Sequence, residues 1–165
     1  MKHLGIDPGL SGAVTALDNK GVLLWVEDTP TVKAGKKTIY DAPRMASILS
    51  REKGVTVTIE QAQGMPGQGI TSTFRIGEGF GLWLGIIAAL GIPFFTVRPA
   101  TWQKAMFRMV ATGSTTKEKS VTLAKQIFPE IRLVPEGCRK PKDGRSDAAL
   151  IARYGWLIST RNTRG

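Results

Sequence analysis

The chain opens on three short runs of apolar and β-branched residues, Leu4 to Asp7, Ala13 to Leu17 and Val22 to Val26, which read as strands. Asn19-Lys20-Gly21 supplies turn chemistry between the second and third, so the pattern predicts an antiparallel meander. Lys33 to Lys37 is a basic, glycine-containing loop. Asp41-Ala42-Pro43 then offers an N-cap with proline in the first turn, predicting a helix from Ala42 to about Lys53, closed by Gly54. Val55 to Glu60 alternates β-branched apolar and polar residues and predicts a strand that ends on a carboxylate. QAQGMPGQG, Gln61 to Gly69, is a loop by its glycine and proline content. Thr71 to Leu90 is helical in pattern, with Gly91 at its C-terminal cap and Pro93 beyond. Phe94 to Val97 reads as a strand, and Ala100 to Phe107, Thr116 to Ile127 and Ser146 to Ser159 as helices. A strand meander followed by alternating helix and strand predicts a mixed α/β fold.

The 165 residues suffice for one domain with a full core, residues 1–165, of which about 161–165 reads as a basic tail. They are too few for two lobes closing over a nucleotide. That bears on LGIDPGLSGA, Leu4 to Ala13, where a strand ends on Asp7 against a turn of Pro8, Gly9, Ser11 and Gly12. Either this turn handles nucleotide phosphates, as in actin-like and sugar-kinase ATPases, or Asp7 is the first ligand of a metal pair. The length favours the metal and argues against a nucleotide cofactor.

Charge narrows the partner. Lysine and arginine number 23 against 13 acids, a net +10, which is the electrostatic footprint of a protein that meets polyanions, nucleic acid first. The single cysteine, Cys138, forms no internal disulfide, and one histidine excludes a structural Cys/His zinc cluster. Both suit a reducing, cytoplasmic setting. Asp7 interrupts the first apolar run, so no signal segment is read there. The longest near-apolar stretch, Phe80 to Ile92, is too short to cross a bilayer, and no membrane partner is expected.

Acids gather at predicted element ends: Asp7, Glu60, and the pair Asp143 and Asp147 in DGRSDAALIA. Four residues apart, the last two share a face if the helix includes Asp143. Clustered carboxylates repel one another unless a cation offsets their charge, and oxygen-only ligands suit Mg²⁺ or Mn²⁺. Two such ions, roughly 3.5–4 Å apart, support in-line displacement at phosphorus. Each acid also has a plainer reading: Asp7 as a turn former, Glu60 in a surface ion pair, Asp143 as an N-cap competing with Ser146, and Asp147 as a partner of the helix dipole.

GIDPGLSGA, TIEQAQGMPGQG and DGRSDAALIA, in this order and at these separations, resemble the RuvC-type Holliday-junction resolvases. MPGQG followed by TSTFRIGEGFGLWLGIIAALGIP resembles the branch carried by bacteriophages. The resemblance runs from Leu4 to about Tyr154. It implies a ribonuclease H-like α/β fold, a five-stranded mixed sheet with helices on both faces. It also implies an acidic tetrad with two Mg²⁺ or Mn²⁺ ions, a homodimer, and paired nicks in opposing strands of a four-way junction. Asp7, Glu60 and Asp147 match the family's acids; at the fourth position this chain has Gly144, with the acid at Asp143. The bacterial loop after the glutamate carries an aromatic that enters the junction centre. MPGQG has none, which leaves Met65 or Gln68 for that part. Two alternatives stay open: a nuclease of this fold preferring branched or flap DNA, and a junction-binding protein that does not cut.

Gly77, Gly81 and Gly85 recur every four residues, and each glycine in a helix interior costs roughly 1 kcal/mol relative to alanine. Close packing must offset that cost, either against this chain's own sheet or against a second subunit, where Phe80 and Trp83 would supply apolar area. The expected DNA contacts are Lys33, Lys36, Lys37, Lys104, Arg108, Lys117, Lys119, Arg139, Lys140, Lys142 and Arg145. Arg132 to Arg145 is read as a mobile basic loop, and Lys119 as a cation beside the scissile phosphate. GSTTKEKS, Gly113 to Ser120, is either a phosphate-facing helix N-terminus or an ordinary cap on Thr115 or Thr116.

Overall fold

The computed structural model describes residues 1–64, 67, 69–109 and 115–162. Strands β1 (Lys2–Asp7), β2 (Ala13–Leu17) and β3 (Leu23–Asp28) form the antiparallel meander. A hairpin follows, β4 (Thr31–Ala34) with β5 (Lys37–Tyr40), then helix α1 (Ala42–Ser50), strand β6 (Val55–Glu60) and helix α2 (Ile70–Ala89). Strand β7 (Phe94–Val97), α3 (Pro99–Met106), a short 3₁₀ turn at Phe107–Met109, α4 (Thr116–Ile127) and α5 (Asp143–Asn162) complete the chain. The main sheet has the order β3-β2-β1-β6-β7, with β6 parallel to both β1 and β7. It is the five-stranded mixed sheet expected, with helices on both faces.

Alternation along β1 divides the core into two layers. Leu4 and Ile6 pack with Met45, Leu49, Trp83 and Ile87 from α1 and α2. Gly5 faces the other way and admits α5: a Cβ there would stand 2.2 Å from Ala152 N and 2.3 Å from Ala148 O. The apolar run Ala148 to Ala152 is fully buried on that layer with Trp102, Leu123 and Phe128. Gly155 presses the same helix onto a buried hydrogen bond, 2.7 Å long, between His3 Nε2 and Thr58 Oγ1. Burial holds the His3 imidazole down at about 4, so the one histidine is a neutral core group.

Four readings change. The segment Lys33 to Lys37 is a hairpin rather than a loop, because Ala34 pairs with Lys37 and Gly35 takes a left-handed φ of 61° in the turn between them. Helix α5 starts at Asp143, three residues earlier than expected, and runs through Asn162 into the stretch read as a tail. Trp83 is fully buried in this chain's own core. It shares the inward line of α2 with Gly79 and Ile87, about 200° around the helix from Gly81, and is unavailable to a second subunit. The stretch Arg132 to Arg145 is pinned at both ends: Leu133 is buried, its carbonyl accepts from Lys142 N at 2.9 Å, and Arg145 Nη1 donates to the Arg132 carbonyl at 2.7 Å. Among the described residues, no helix is long and apolar enough to cross a membrane.

Candidate active site

In the parallel pair β1/β6, Ile6 lies opposite Ile59, so Asp7 and Glu60 end adjacent strands at the same level. The turn after Asp7 is tight. Gly9 N donates to Asp7 Oδ1 at 3.2 Å, Gly12 N donates to the Gly9 carbonyl at 2.9 Å, and a Cβ on Gly12 would meet Asp7 O at 2.1 Å. Helix α5 sets its first turn on this loop. Gly144 is the contact point, where a Cβ would stand 2.2 Å from Ser11 O and 2.7 Å from Gly12 Cα. This accounts for the spacing of the last two acids: position 144 has no room for a side chain, and Asp143 and Asp147 lie one helical turn apart on either side of it.

The electrostatics mark a shared site. Burial pushes the Asp7 carboxyl up to about 8, helped by the charges of Glu60, Asp147 and, more weakly, Asp143. Glu60 rises to about 7 through burial and the nearby Asp147, against a hydrogen bond from Trp102. Asp147 rises to about 6, again chiefly through burial, with Ser120 and Lys117 opposing. Asp143 behaves differently. Lys117 Nζ lies 2.7 Å from its Oδ2 and holds it below the usual carboxylate range, while the same contact raises Lys117.

Trp102 holds one of the acids and Ser120 lies beside another, and the sequence did not reveal either. Fully buried Trp102 of α3 donates from Nε1 to Glu60 Oε2 at 2.5 Å, across 42 residues. Ser120 is buried on α4 and faces Asp147 without a hydrogen bond in good geometry; Ser120 Oγ and Asp147 Oδ1 are both buried and unpartnered. A third missed residue is Tyr40, whose hydroxyl donates toward the carbonyls of Arg75 at 3.0 Å and Pro8 at 3.4 Å, tying α2 to the Asp7 turn. The only sequence signal for these is an inward i, i+4 pair, Trp102 and Met106, which marks burial without naming a partner.

Among the described residues, no three His, Cys, Asp or Glu side chains are grouped as a ready-made metal site. The chemistry of the donors nonetheless fits a hard divalent cation. Three carboxylates repel one another across a buried space, and Asp147 Oδ1 lacks the partner that a buried carboxylate oxygen requires.

The expected basic residues fall into separate groups. Lys117, rather than Lys119, meets the acids: two residues along α4 is a rotation of about 200°, so Lys119 leaves that face. Lys142 and Arg145 are held by Asp28, at 2.8 and 2.6 Å, and the Arg145 side chain is only 13% exposed. They clamp α5 to the end of β3 and are not free for DNA. Lys33, Lys36, Lys37, Lys104, Arg108, Arg139 and Lys140 are exposed. Thr115 caps α4 in a reciprocal box with Glu118, which satisfies the helix end internally and favours the ordinary cap. Met65 and Gln68, and Gly113 and Ser114 of the GSTTKEKS segment, lie outside the described residues.

On α2, Gly77, Gly81 and Gly85 are exposed, and a Cβ on any of them would meet nothing within 4 Å. They do not pack against this chain's sheet. Phe80 is half-buried beside them, and Ile70 and Phe74 at the start of the helix are 90% and 71% exposed.

No protein-family model and no curated protein matches the chain. Solved structures do. T. thermophilus RuvC in complex with a Holliday junction substrate aligns over 99% of this chain and 97% of its own, with a TM-score of 0.66 and 19% identity. The fold is that of RuvC. A second Thermus thermophilus RuvC structure agrees, covering 99% of this chain and 98% of its own at a TM-score of 0.65 and 22% identity. The likeness to RuvC runs end to end, so β1, β6 and α5 belong to the common framework.

Proposed function

We propose that this chain is a Mg²⁺- or Mn²⁺-dependent endodeoxyribonuclease that resolves four-way DNA junctions as a homodimer. The observation that carries the reading is the convergence of Asp7, Glu60 and Asp147 from three elements. They are buried enough that each holds its proton well above the ordinary carboxylate range, and all stand in a chain of net charge +10. The RuvC fold and the junction in one RuvC complex add to it.

Asp7, Glu60 and Asp147 would hold the metal, with Asp143 at its edge, and bound divalent ions there would activate water and stabilise the leaving oxygen. The chain's own groups do the positioning. Gly9 N–H and Trp102 Nε1–H each fix one carboxylate oxygen, leaving the other free to face the site. Lys117 holds Asp143 in place, and its ammonium offsets negative charge at the rim where a phosphate enters. Hydrolysis would leave a 5′-phosphate and a 3′-hydroxyl.

The open glycine stripe of α2, flanked by Phe80 and Phe74, suits a two-fold contact with a second copy. Two sites related in this way fit a junction whose opposing strands are cut in pairs. Lys33, Lys36 and Lys37 on the projecting hairpin, with Lys104, Arg108, Arg139 and Lys140, would contact backbone phosphates with little base readout.

The test compares cleavage of an immobile four-way junction, a Y-fork and a flap under Mg²⁺, Mn²⁺ and EDTA. Symmetric metal-dependent nicks in the junction are expected. A preference for the fork or flap makes this a branched-DNA nuclease instead, and binding without cutting under either metal makes it a binding protein.

A further inference from the structure

Two adjoining cavities, of about 570 and 400 Å³, share Thr101, Tyr154 and Ile158 and form a cleft between α3 and the C-terminal half of α5. Arg98 stands at one end, and Lys104, Arg108 and Arg161 at the other. All four are exposed, no ion pair among the described residues engages them, and no acidic side chain is among the described residues lining the cleft. Several basic groups elsewhere are neutralised in ion pairs: Arg51 with Glu27, Lys2 with Glu52, Lys117 with Asp143, and Lys142 and Arg145 with Asp28. Four unpaired cations around one concave surface leave a concentrated positive field with nothing in the chain to balance it.

The cleft starts next to the acids. Gln61 lines it directly after Glu60, and Trp102, which holds Glu60, lies on the inner side of the same α3 whose outer side presents Thr101 and Lys104, with Arg108 following in the 3₁₀ turn. The eight residues of α3 span about 12 Å, which matches three to four phosphates along one strand of a duplex at about 3.4 Å of rise each. Half-buried Tyr154 lines both cavities and so stands where they meet.

We propose that the α3–α5 cleft is a track for the phosphate backbone of one DNA arm leading away from the acids, gripped by Arg98, Lys104, Arg108 and Arg161. This rests on the reading of the chain as a junction nuclease and adds Arg98, Tyr154 and Arg161 to its DNA surface. It assigns the cleft to arm length: a junction trimmed so that the gripped arm ends at the branch point does not reach it, and one with long arms does.

The experiment measures junction binding in EDTA against salt, for long-armed and trimmed junctions. It compares the parent with the triple variant Arg98→Gln/Lys104→Gln/Arg161→Gln and with the charge-keeping Arg98→Lys/Lys104→Arg/Arg161→Lys. Removing one cation from a phosphate lowers the slope of log K against log salt by about 0.9, so the neutralised variant should fall by about 3 on long arms and by nothing on trimmed ones. The charge-keeping variant should keep the parental slope. A parental slope in the neutralised variant, or an equal fall in both variants, overturns the track while leaving the nuclease reading intact. A parent that binds no junction at any salt overturns both.

Discussion

Replacing Gly144 with alanine tests how the acids are brought together. The new Cβ would stand 2.2 Å from Ser11 O, whereas ordinary contact begins near 3.4 Å, so the end of α5 must retreat by about 1.2 Å or the Asp7 turn must open by as much. Overpacking of this kind costs about 1–3 kcal/mol, and the gain in helix propensity from glycine to alanine returns about 1 kcal/mol. The net loss is then up to about 2 kcal/mol, or up to about 8 °C in Tm for a chain of this size. Catalysis should suffer more than stability. A shift of about 1 Å between Asp147 and Asp7 costs on the order of 10²-fold in rate. Differential scanning calorimetry and single-turnover cleavage of a four-way junction, run on the same preparation, measure both effects. A variant with parental Tm and parental rate would refute the claim that α5 seats its first turn on the Ser11–Gly12 loop.

Three further outcomes are expected. Asp7, Glu60 and Asp147 hold folded-state values of about 8, 7 and 6, above their unfolded 3.8, 4.5 and 3.8. The folded chain therefore keeps protons that the unfolded chain has released, and metal-free stability should fall as pH rises from about 4 to about 8. Mg²⁺ or Mn²⁺ should raise Tm at pH 8 and leave it unchanged at pH 5; an equal shift at both would contradict the site. Lys117→Met should lower the cleavage rate by about 10²-fold with Tm unchanged, whereas Lys119→Met should cut at the parental rate, and the reverse order would restore Lys119 to the site. Gly81→Arg should shift the protein from dimer to monomer in sedimentation velocity while its circular dichroism stays parental, and a parental dimer would move the interface off the α2 stripe.

Local chemistry made much of the fold legible. Val55 to Glu60, Phe94 to Val97 and Thr116 to Ile127 have the limits that alternation and capping predict, because β-branched residues and a Thr115/Glu118 box act within a few residues of themselves. The strand-end acids were equally plain. What stayed hidden depends on contacts between distant residues. Lys142 and Arg145 look like a free basic patch until Asp28, more than a hundred residues earlier, is folded against them. Lys117 and Lys119 cannot be ranked until the rotation of α4 against α5 is known. Trp83 reads as interface area on a glycine helix because composition does not say which side of α2 meets the sheet. Asp143 and Gly144 fell in the stretch read as a basic loop ahead of the helix, whereas the absence of a side chain at Gly144 lets the helix begin there, against Ser11.

The most direct test of the central claim, that these carboxylates are a metal-dependent catalytic centre, is Asp7→Asn. Parent and variant are compared for binding a four-way junction in EDTA and for cutting it in Mg²⁺ and Mn²⁺. Retained binding with cutting abolished under both metals is the result predicted. A variant that cuts at the parental rate would contradict the account at its root, since Asp7 would then be a turn residue with no part in the chemistry.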